Sequence, residues 1–299
     1  MRHQLNRILC STDFSDLSDQ TIPYGIALAK AFGAKLFISH IIDLPFAAVD
    51  GGMPIDPGEQ QDRMTAFAYK HLEPFFEGTT VSWEPWIATG NTADELMQLV
   101  HRKRIDLVIS ATHGRSGLKR FLLGSVAEKL MRVLPCPLLI IKAKPDGPEK
   151  IEFSLRRILV GCDFSADSDL AFQYGLGLAQ EFEAELHLVH VLEPPAYPDA
   201  EAALTESRNA MRAQIREKLD RMVPEEARNW CRPIVTLREG KPDEELSRYA
   251  EINEMDLMVL GVHGHSLVEA LFIGSTTDRV ARRSPCPVLA VRPLPPKEG

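Results

Sequence analysis

Short apolar runs rich in β-branched residues alternate with longer segments of helical period along the chain. In the first half the apolar runs predict strands near Arg7–Ser11, Lys35–Ile42, Val81–Ala88, Leu107–Ala111 and Leu138–Lys142. The second half repeats these runs 150 residues further on. Each half therefore predicts the order βαβαβαβαβ, which is typical of an α/β fold with a parallel sheet covered by helices.

Identical residues at the 150-residue offset indicate an internal duplication. The matched pairs include Arg7 with Arg157, Asp13 with Asp163, Tyr24 with Tyr174, His40 with His190, Gly124 with Gly274, and Cys136 with Cys286. The repeat predicts two domains, residues 1–145 and 154–299. A polar, turn-rich linker is expected within Ala143–Phe153.

The segments between the second and third strands carry apolar side chains at helical spacing. The predicted faces are Met64, Phe67, His71 and Phe75 in the first half, and Met211, Ile215, Leu219 and Met222 in the second. We expect both faces to pack on the sheet.

Prolines in the third strand predict the strand order. Pro85 and Pro233 lack the amide donor that an inner strand needs, so each third strand should lie at a sheet edge. Right-handed crossovers then favour a five-stranded, doubly wound parallel sheet of order 3-2-1-4-5 in each half. Such a sheet binds ligands where the chain reverses direction, between strands one and four.

The last strand of each half is apolar, although the predicted order places it at the other edge of its sheet. These strands are Leu138–Ile141 and Val288–Val291. Because an unprotected apolar edge invites pairing, we expect the two to pair about a pseudo-twofold axis as an intrachain pseudo-dimer. Assembly into a homodimer as well stays open.

A glycine-rich loop follows the fourth strand of the second half. Gly261-Val262-His263-Gly264 is followed by nine residues and then by Gly274-Ser275-Thr276-Thr277, which opens a helix. The glycines are expected to allow positive φ angles and close approach of the backbone to a ligand. Free amides and the dipole at the helix N-terminus favour phosphate oxygens. The first strand ends at Gly161-Cys162-Asp163, whose carboxylate is placed to accept hydrogen bonds from ribose hydroxyls.

This constellation resembles the universal stress protein family, whose ATP-binding members carry glycine, two residues, glycine, nine residues, and glycine with serine or threonine. The resemblance covers both repeats and implies an adenine nucleotide alpha hydrolase-like fold that binds ATP, with or without Mg²⁺. It places Asp163 on the ribose and the Val191 backbone near adenine. It also implies that the phosphates lie among Gly261, Gly264, Gly274, Ser275 and Thr276, with His263 inside the loop.

The first half departs from this pattern at one glycine. The counterparts are Thr12, Asp13, Ile41, Ala111, His113, Gly114, Gly124, Ser125 and Val126. Ala111 replaces the first glycine, which strains the loop if positive φ is required there and is tolerated if only clearance is required. The first loop also contains Arg115, Lys119 and Arg120, whereas the second has no lysine or arginine between Gly264 and Gly274. The two sites are therefore expected to differ in nucleotide preference.

Several of these residues also have a structural interpretation. Asp13 and Asp163 would equally serve as helix caps. His113 and His263 would equally be loop histidines without a phosphate or acid-base role. The cysteines Cys10, Cys136, Cys162 and Cys286 fit buried apolar positions. The acidic run that begins at Asp243 is best interpreted as the first turn of a helix rather than a metal site.

Composition narrows the classes of partner. A formal net charge of −8 argues against nucleic-acid binding. Five cysteines without framework spacing indicate a reducing compartment. Neither a signal peptide nor an apolar run of membrane-spanning length is evident, so we expect a cytoplasmic protein without a membrane partner.

The sequence favours an ATP-binding regulatory module of the stress response, in which bound nucleotide alters the binding of an unknown protein partner. The enzymatic alternative is slow ATP hydrolysis or phosphotransfer, although the complete loop lacks the lysine of a P-loop. The third hypothesis is a protein-interaction module that binds no nucleotide.

Overall fold

The computed structural model describes residues 5–42, 57–112, 123–142, 155–194, 205–264 and 273–292. Contacts divide the chain into two compact units, with the division between Phe153 and Ser154. The linker predicted within Ala143–Phe153 lies outside the described residues.

The first unit is a parallel sheet with helices packed against it. Its strands are β1 Arg7–Ser11, β2 Lys35–Ile42, β3 Trp83–Thr89, β4 Leu107–Ala111 and β5 Leu138–Ile141. Its helices are α1 Asp16–Asp19, α2 Thr21–Phe32, α3 Pro57–Phe76, α4 Thr92–Lys103 and α5 Ser125–Val133. The strand order is β3-β2-β1-β4-β5, which confirms the predicted order.

The second unit repeats this architecture. Its strands are β6 Arg157–Gly161, β7 Glu185–Leu192, β8 Arg232–Glu239, β9 Leu257–Gly261 and β10 Val288–Val291. Its helices are α6 Ala166–Phe182, α7 Thr205–Met222, α8 Pro242–Ile252 and α9 Ser275–Arg283, with a 3₁₀ turn at Glu225–Asn229. The order β8-β7-β6-β9-β10 matches that of the first unit.

The prolines lie where their missing amides cause no loss inside the sheet. Pro85 on β3 pairs with Ile38 on β2, and Pro233 on β8 pairs with Leu186 on β7. Both β3 and β8 stand at one end of the strand order of their unit. By contrast, inner-strand residues such as Leu9 and Leu159 are fully buried. Continuous apolar runs of this kind are expected where helices cover a parallel sheet.

The acidic run after Lys241 has the predicted helical role. Pro242 begins α8, and the three acidic residues that follow it lie in the first turn. Asp243 is buried and lies 3.3 Å from the guanidinium of Arg279. Negative charge at this position complements the helix dipole.

The predicted packing face of α3 is wrong, and that of α7 is wrong at Met211 but correct at Leu219. Phe67 is 50% exposed and Met211 is 52% exposed. The buried positions of α3 are instead Ala68, Leu72 and Phe76, and those of α7 include Leu219. The buried stripe of α3 thus begins one residue after Phe67 and follows a spacing of four, which a helix places on one face.

A buried histidine at the third position of β7 has no counterpart at the third position of β2. His187 lies on β7 with its Nδ1 2.9 Å from the Tyr249 hydroxyl, whereas the equivalent position in the first unit is Phe37. Burial lowers the pKa of His187 below its ordinary value, and the Glu185 carboxylate only partly opposes this effect.

This shift makes the second unit sensitive to acid. The folded state disfavours the protonated ring, so below about pH 6.5 the unfolded chain binds more protons and the free energy of unfolding falls. The contribution of the neutral His187 side chain to the free energy of unfolding is complete above about pH 6.5 and is lost as the pH decreases. We expect His187→Phe to reduce the fall in the urea midpoint between about pH 7.5 and about pH 5.5. An unchanged pH dependence in the variant would contradict this assignment.

Candidate functional site

The carboxyl ends of β6, β7 and β9 lie together at one end of the second sheet. β6 ends at Gly161 opposite Val189, and the next amide, from Cys162, donates to the Val189 carbonyl at 2.9 Å. Because β7 continues to Leu192, the main chain around Val191 extends beyond its pairing with β6. This is the segment expected to lie near adenine.

Asp163 lies two residues after the end of β6 and faces the glycine loop after β9. Its Oδ1 accepts hydrogen bonds from the Ser165 amide at 3.0 Å and the Ser165 hydroxyl at 2.5 Å. A Cβ on Gly264 would lie only 2.7 Å from the Asp163 Oδ2. The sequence analysis predicted the exposed carboxylate after one strand and the glycine loop after another. The structure brings these two groups together.

Asp163 does not cap α6. The N-cap is Ser165, whose side chain accepts from the Ser168 amide, and Ser15 has the same role in α1. Asp163 instead holds the capping serine in place through one carboxylate oxygen. The capping interpretation is thus wrong for the aspartate itself, and it belongs to the serine two residues later.

The phenylalanine after each aspartate adopts a left-handed backbone conformation. Phe14 has a φ of 58° and Phe164 a φ of 64°. This conformation is unusual for a bulky residue and costs roughly 1–3 kcal/mol. The Phe164 ring lies 4.9 Å from that of His190, whose Nδ1 donates to the Cys162 carbonyl at 2.7 Å. Burial also lowers the pKa of His190, and the lowered pKa favours the neutral ring. We call this end of each sheet, where the first, second and fourth strands of the unit end, the mouth of that unit.

Gly261 is required for clearance rather than for φ. None of Gly261, Gly264 and Gly274 has a positive φ, so the expectation of left-handed loop glycines is wrong. A Cβ on Gly261 would lie 2.7 Å from the Asp167 Cβ and 2.8 Å from the Asp167 carbonyl carbon. It would also lie 2.9 Å from the Ser168 amide nitrogen. The first turn of α6 packs directly on the end of β9.

His263 is anchored by a carboxylate that the sequence analysis did not identify. The Asp167 Oδ2 accepts the His263 amide at 3.0 Å and lies 2.8 Å from its Nδ1. The His263 Nε2 is buried and makes no hydrogen bond within the described residues. This geometry supports a loop-holding role for the histidine.

Gly274 brings the second part of the motif against the first. Its amide donates to the Val262 carbonyl at 2.8 Å, and a Cβ there would lie 3.1 Å from that oxygen and 3.6 Å from the Gly264 nitrogen. Gly274 is the N-cap of α9 and offers no side-chain cap. The first amides of the helix, including those of Ser275 and Thr276, therefore lack intrahelical acceptors and suit an anion.

Thr277, by contrast, has a structural partner. Its hydroxyl donates to the Gly261 carbonyl at 2.6 Å, and the residue is 4% exposed. Thr277 thus joins the first turn of α9 to the end of β9, while Ser275 is exposed at the helix start.

The model of the universal stress protein family matches residues 4–142 and again residues 154–292. The chain belongs to this family. A universal stress protein of Synechocystis is 24% identical over 312 aligned residues, covering 96% of this chain and all of the relative. A universal stress protein of Methanocaldococcus jannaschii is 30% identical over 142 residues, 46% of this chain and 81% of the relative.

A solved structure supports the fold. The crystal structure of a universal stress protein from Archaeoglobus fulgidus has a TM-score of 0.68 and 23% sequence identity, covering 97% of this chain and 99% of that one. The predicted tandem of universal stress protein repeats is therefore confirmed. Family membership supports a role in the stress response.

In this universal stress protein chain, two residues of the predicted second site turn out to be packing residues. A Cβ on Gly161 would lie 2.4 Å from the Leu260 side chain. The Cys162 thiol points to Met222, with the sulfur atoms 3.7 Å apart, and burial raises its pKa to about 11. The main chain of Gly161 and Cys162 borders the mouth, whereas Leu260 packs against Gly161 and the Cys162 thiol is buried beside Met222.

The buried-thiol interpretation fits the remaining cysteines of the predicted set. Cys10, Cys136 and Cys286 are buried, and burial raises the pKa of Cys136 to about 12 and that of Cys286 to about 11. The pKa of Cys10 is raised further by the same cause. Neutral thiols of this kind behave as small apolar side chains.

The first unit has the same backbone frame at its mouth. The Gly124 amide donates to the Thr112 carbonyl at 2.7 Å, and a Cβ there would lie 2.8 Å from that oxygen. Gly124 caps α5, where Ser125 and Val126 form the first turn. Ala111 ends β4 without a positive φ, so the alanine causes no φ strain. His113 and Gly114 lie outside the described residues, as do the three loop cations.

The mouth of the first unit carries a polar network that joins Thr12, Asp19 and His71. Thr12 donates to the Asp19 Oδ1 at 2.5 Å, and the Asp19 Oδ2 lies 2.6 Å from the His71 Nε2. Asp13 accepts from the Ser18 hydroxyl at 2.6 Å, so it is tied into the same cluster. In the second unit cysteine occupies the position of Thr12, and Lys218, 3.9 Å from the centroid of the Phe164 ring, contacts the strand-end phenylalanine as His71 contacts Phe14.

Aromatic rings also gather at the first mouth. Phe14 lies 4.3 Å from the ring of His40 and 5.5 Å from that of Phe67. The side chains expected to cover the sheet from α3 thus contact the strand-end loop instead. Ile41, near the end of β2, is partly buried.

Two further observations apply to the described residues. No helix there has the length and apolar character that a membrane span requires. Within the same ranges, no group of three histidine, cysteine or acidic side chains is arranged to hold a metal ion.

Proposed function

We propose that the second unit binds ATP or a close adenine nucleotide at the carboxyl ends of β6, β7 and β9, and that the bound nucleotide acts as a regulatory signal in the stress response. The observation that supports this most is the convergence of Asp163, Gly264 and Gly274. The first carries a carboxylate with one oxygen directed to the loop, and the glycines leave clearance beside the N-terminus of α9.

The parts of a nucleotide fit these groups by their chemistry. A ribose offers hydroxyl donors to the Asp163 carboxylate, and phosphates are acceptors for the amides that begin α9 at Ser275. The Val191 main chain, beyond the end of β6, offers amide and carbonyl groups to an adenine edge. The motif that the family's ATP-binding members carry is complete in this unit.

The direct test is to ask whether an adenine nucleotide accompanies the purified chain. Acid extraction followed by chromatography identifies any nucleotide carried through purification, and calorimetry with ATP measures the affinity of the emptied protein. Saturable ATP binding is the expected result. Absence of both a carried nucleotide and calorimetric binding would contradict the proposal, and timed incubation with ATP would report any turnover.

Asp163→Ala is expected to weaken ATP binding without abolishing it. Hydrogen bonds to a charged group contribute about 1.5–3 kcal/mol, which corresponds to roughly a 10- to 150-fold loss of affinity. Calorimetry on the folded variant measures the loss. Asp13→Ala is the matched control because it removes the equivalent carboxylate from the first unit. Equal losses in the two variants would contradict the assignment of the site to the second unit.

A further inference from the structure

We infer that Asp167 is the positioning residue that holds the phosphate loop of the second unit in its binding shape. We further infer that nucleotide binding is restricted to this unit because it has both Asp167 and Gly261, which pack against each other. This inference rests on the proposed function and adds the residues that decide which repeat carries it out.

Asp167 is built into the first turn of α6 and is directed at the loop. It is 8% exposed, and its Oδ2 accepts both the main-chain amide and the ring Nδ1 of His263. One carboxylate oxygen therefore fixes both the backbone and the side chain of the loop residue. Hydrogen bonds to an ionised acceptor are the stronger class, so this anchor restricts the loop effectively.

The anchored residue, His263, is next to Gly264, which lies against the Asp163 carboxylate that we propose binds the ribose. His263 immediately precedes Gly264, whose Cβ position lies against the Asp163 Oδ2, and the Gly274 Cβ position is 3.9 Å from the His263 carbonyl carbon. Fixing His263 therefore fixes both glycine segments of the cradle. A preset loop binds more tightly because less conformational freedom is lost on binding.

Gly261 makes this anchor possible. Its missing Cβ leaves room for the Asp167 Cβ and for main-chain atoms of the same helical turn at 2.8–2.9 Å. Main-chain atoms have no alternative rotamer, so an added methyl group would have to move the start of α6 away from β9. That movement would lengthen the bonds from Asp167 to His263.

The first repeat lacks both members of the pair. Leu17 stands at the position of Asp167, and Ala111 stands at the position of Gly261. Leucine cannot accept a hydrogen bond. The histidine and the later glycines are nevertheless retained in the first repeat, as His113, Gly114 and Gly124. Besides the loop cations, the acceptor and the clearance are therefore two differences between the repeats, and both act on the histidine and glycines that the repeats share.

The test is the stoichiometry and affinity of ATP binding to the full chain by calorimetry. The wild-type chain should bind one ATP. Asp167→Leu, which copies the first repeat, should lower affinity by about tenfold or more, whereas Asp167→Asn, which keeps an acceptor oxygen, should retain more of it. Thermal melting of each variant separates loss of the anchor from loss of folding.

The reciprocal exchange provides a gain-of-function test. Leu17→Asp combined with Ala111→Gly should raise the stoichiometry from one ATP to two, which a purely structural role for the pair would not predict. Two equal sites in the wild type, unchanged affinity in Asp167→Leu, or a folded exchange variant that still binds one ATP would each overturn the inference. If the exchange variant fails to fold, the two Asp167 variants decide. Absence of any ATP binding by the wild type would instead contradict the proposed function itself.

Discussion

Gly274→Val is expected to remove ATP binding from the second unit. A Cβ at this position would lie 3.1 Å from the Val262 carbonyl oxygen, and the Gly274 amide is already bonded to that oxygen at 2.8 Å, so the backbone has little room to retreat. A branched side chain would also occupy the space in front of the first amides of α9. We expect a loss of about 100-fold or more in affinity, measured by calorimetry.

Gly124→Val is the matched control for this prediction. It places the same side chain at the equivalent helix start of the first unit, where a Cβ would lie 2.8 Å from the Thr112 carbonyl oxygen. ATP affinity should be preserved in this variant, although its local strain is at least as large. Unchanged ATP affinity in a correctly folded Gly274→Val protein would show that the phosphates lie elsewhere.

Leu72→Ala is expected to destabilise the first unit by about 2–5 kcal/mol, the usual cost of removing a fully buried leucine side chain. Phe67→Ala removes a larger side chain from the same helix, yet Phe67 is 50% exposed, so its cost should be well below that of Leu72→Ala. Urea unfolding of the two variants measures the difference. A greater loss in Phe67→Ala would restore the packing face that the sequence analysis proposed.

This comparison also shows what the sequence could predict. The bounds of β1, β2 and β4 agree with the predicted runs because inner parallel strands are continuous apolar segments. The face of α3 was predicted wrongly because apolar residues at 67 and 68, and again at 75 and 76, fit two neighbouring helical stripes. Only the position of the Phe14 ring shows which stripe meets the strand-end loop and which covers the sheet.

For the site, the glycine spacing predicted which strand ends converge but not why each glycine is needed. Clearance at Gly261 depends on a helix turn 94 residues earlier in the sequence, at Asp167. Asp167 has no identical counterpart in the first repeat, where position 17 is leucine, so identity between the repeats does not mark it as a site residue. The difference at this position was the available signal, and only the packing of α6 on β9 gives it a physical meaning.

The difference between Leu17 and Asp167 has a consequence for how such a chain evolves. In a protein with one domain per chain, a substitution is inherited by every copy of the site at once. Here each repeat has its own codon at the position, so the anchor can be lost from one copy while the other is preserved by selection. The duplication has made the two mouths separately heritable traits.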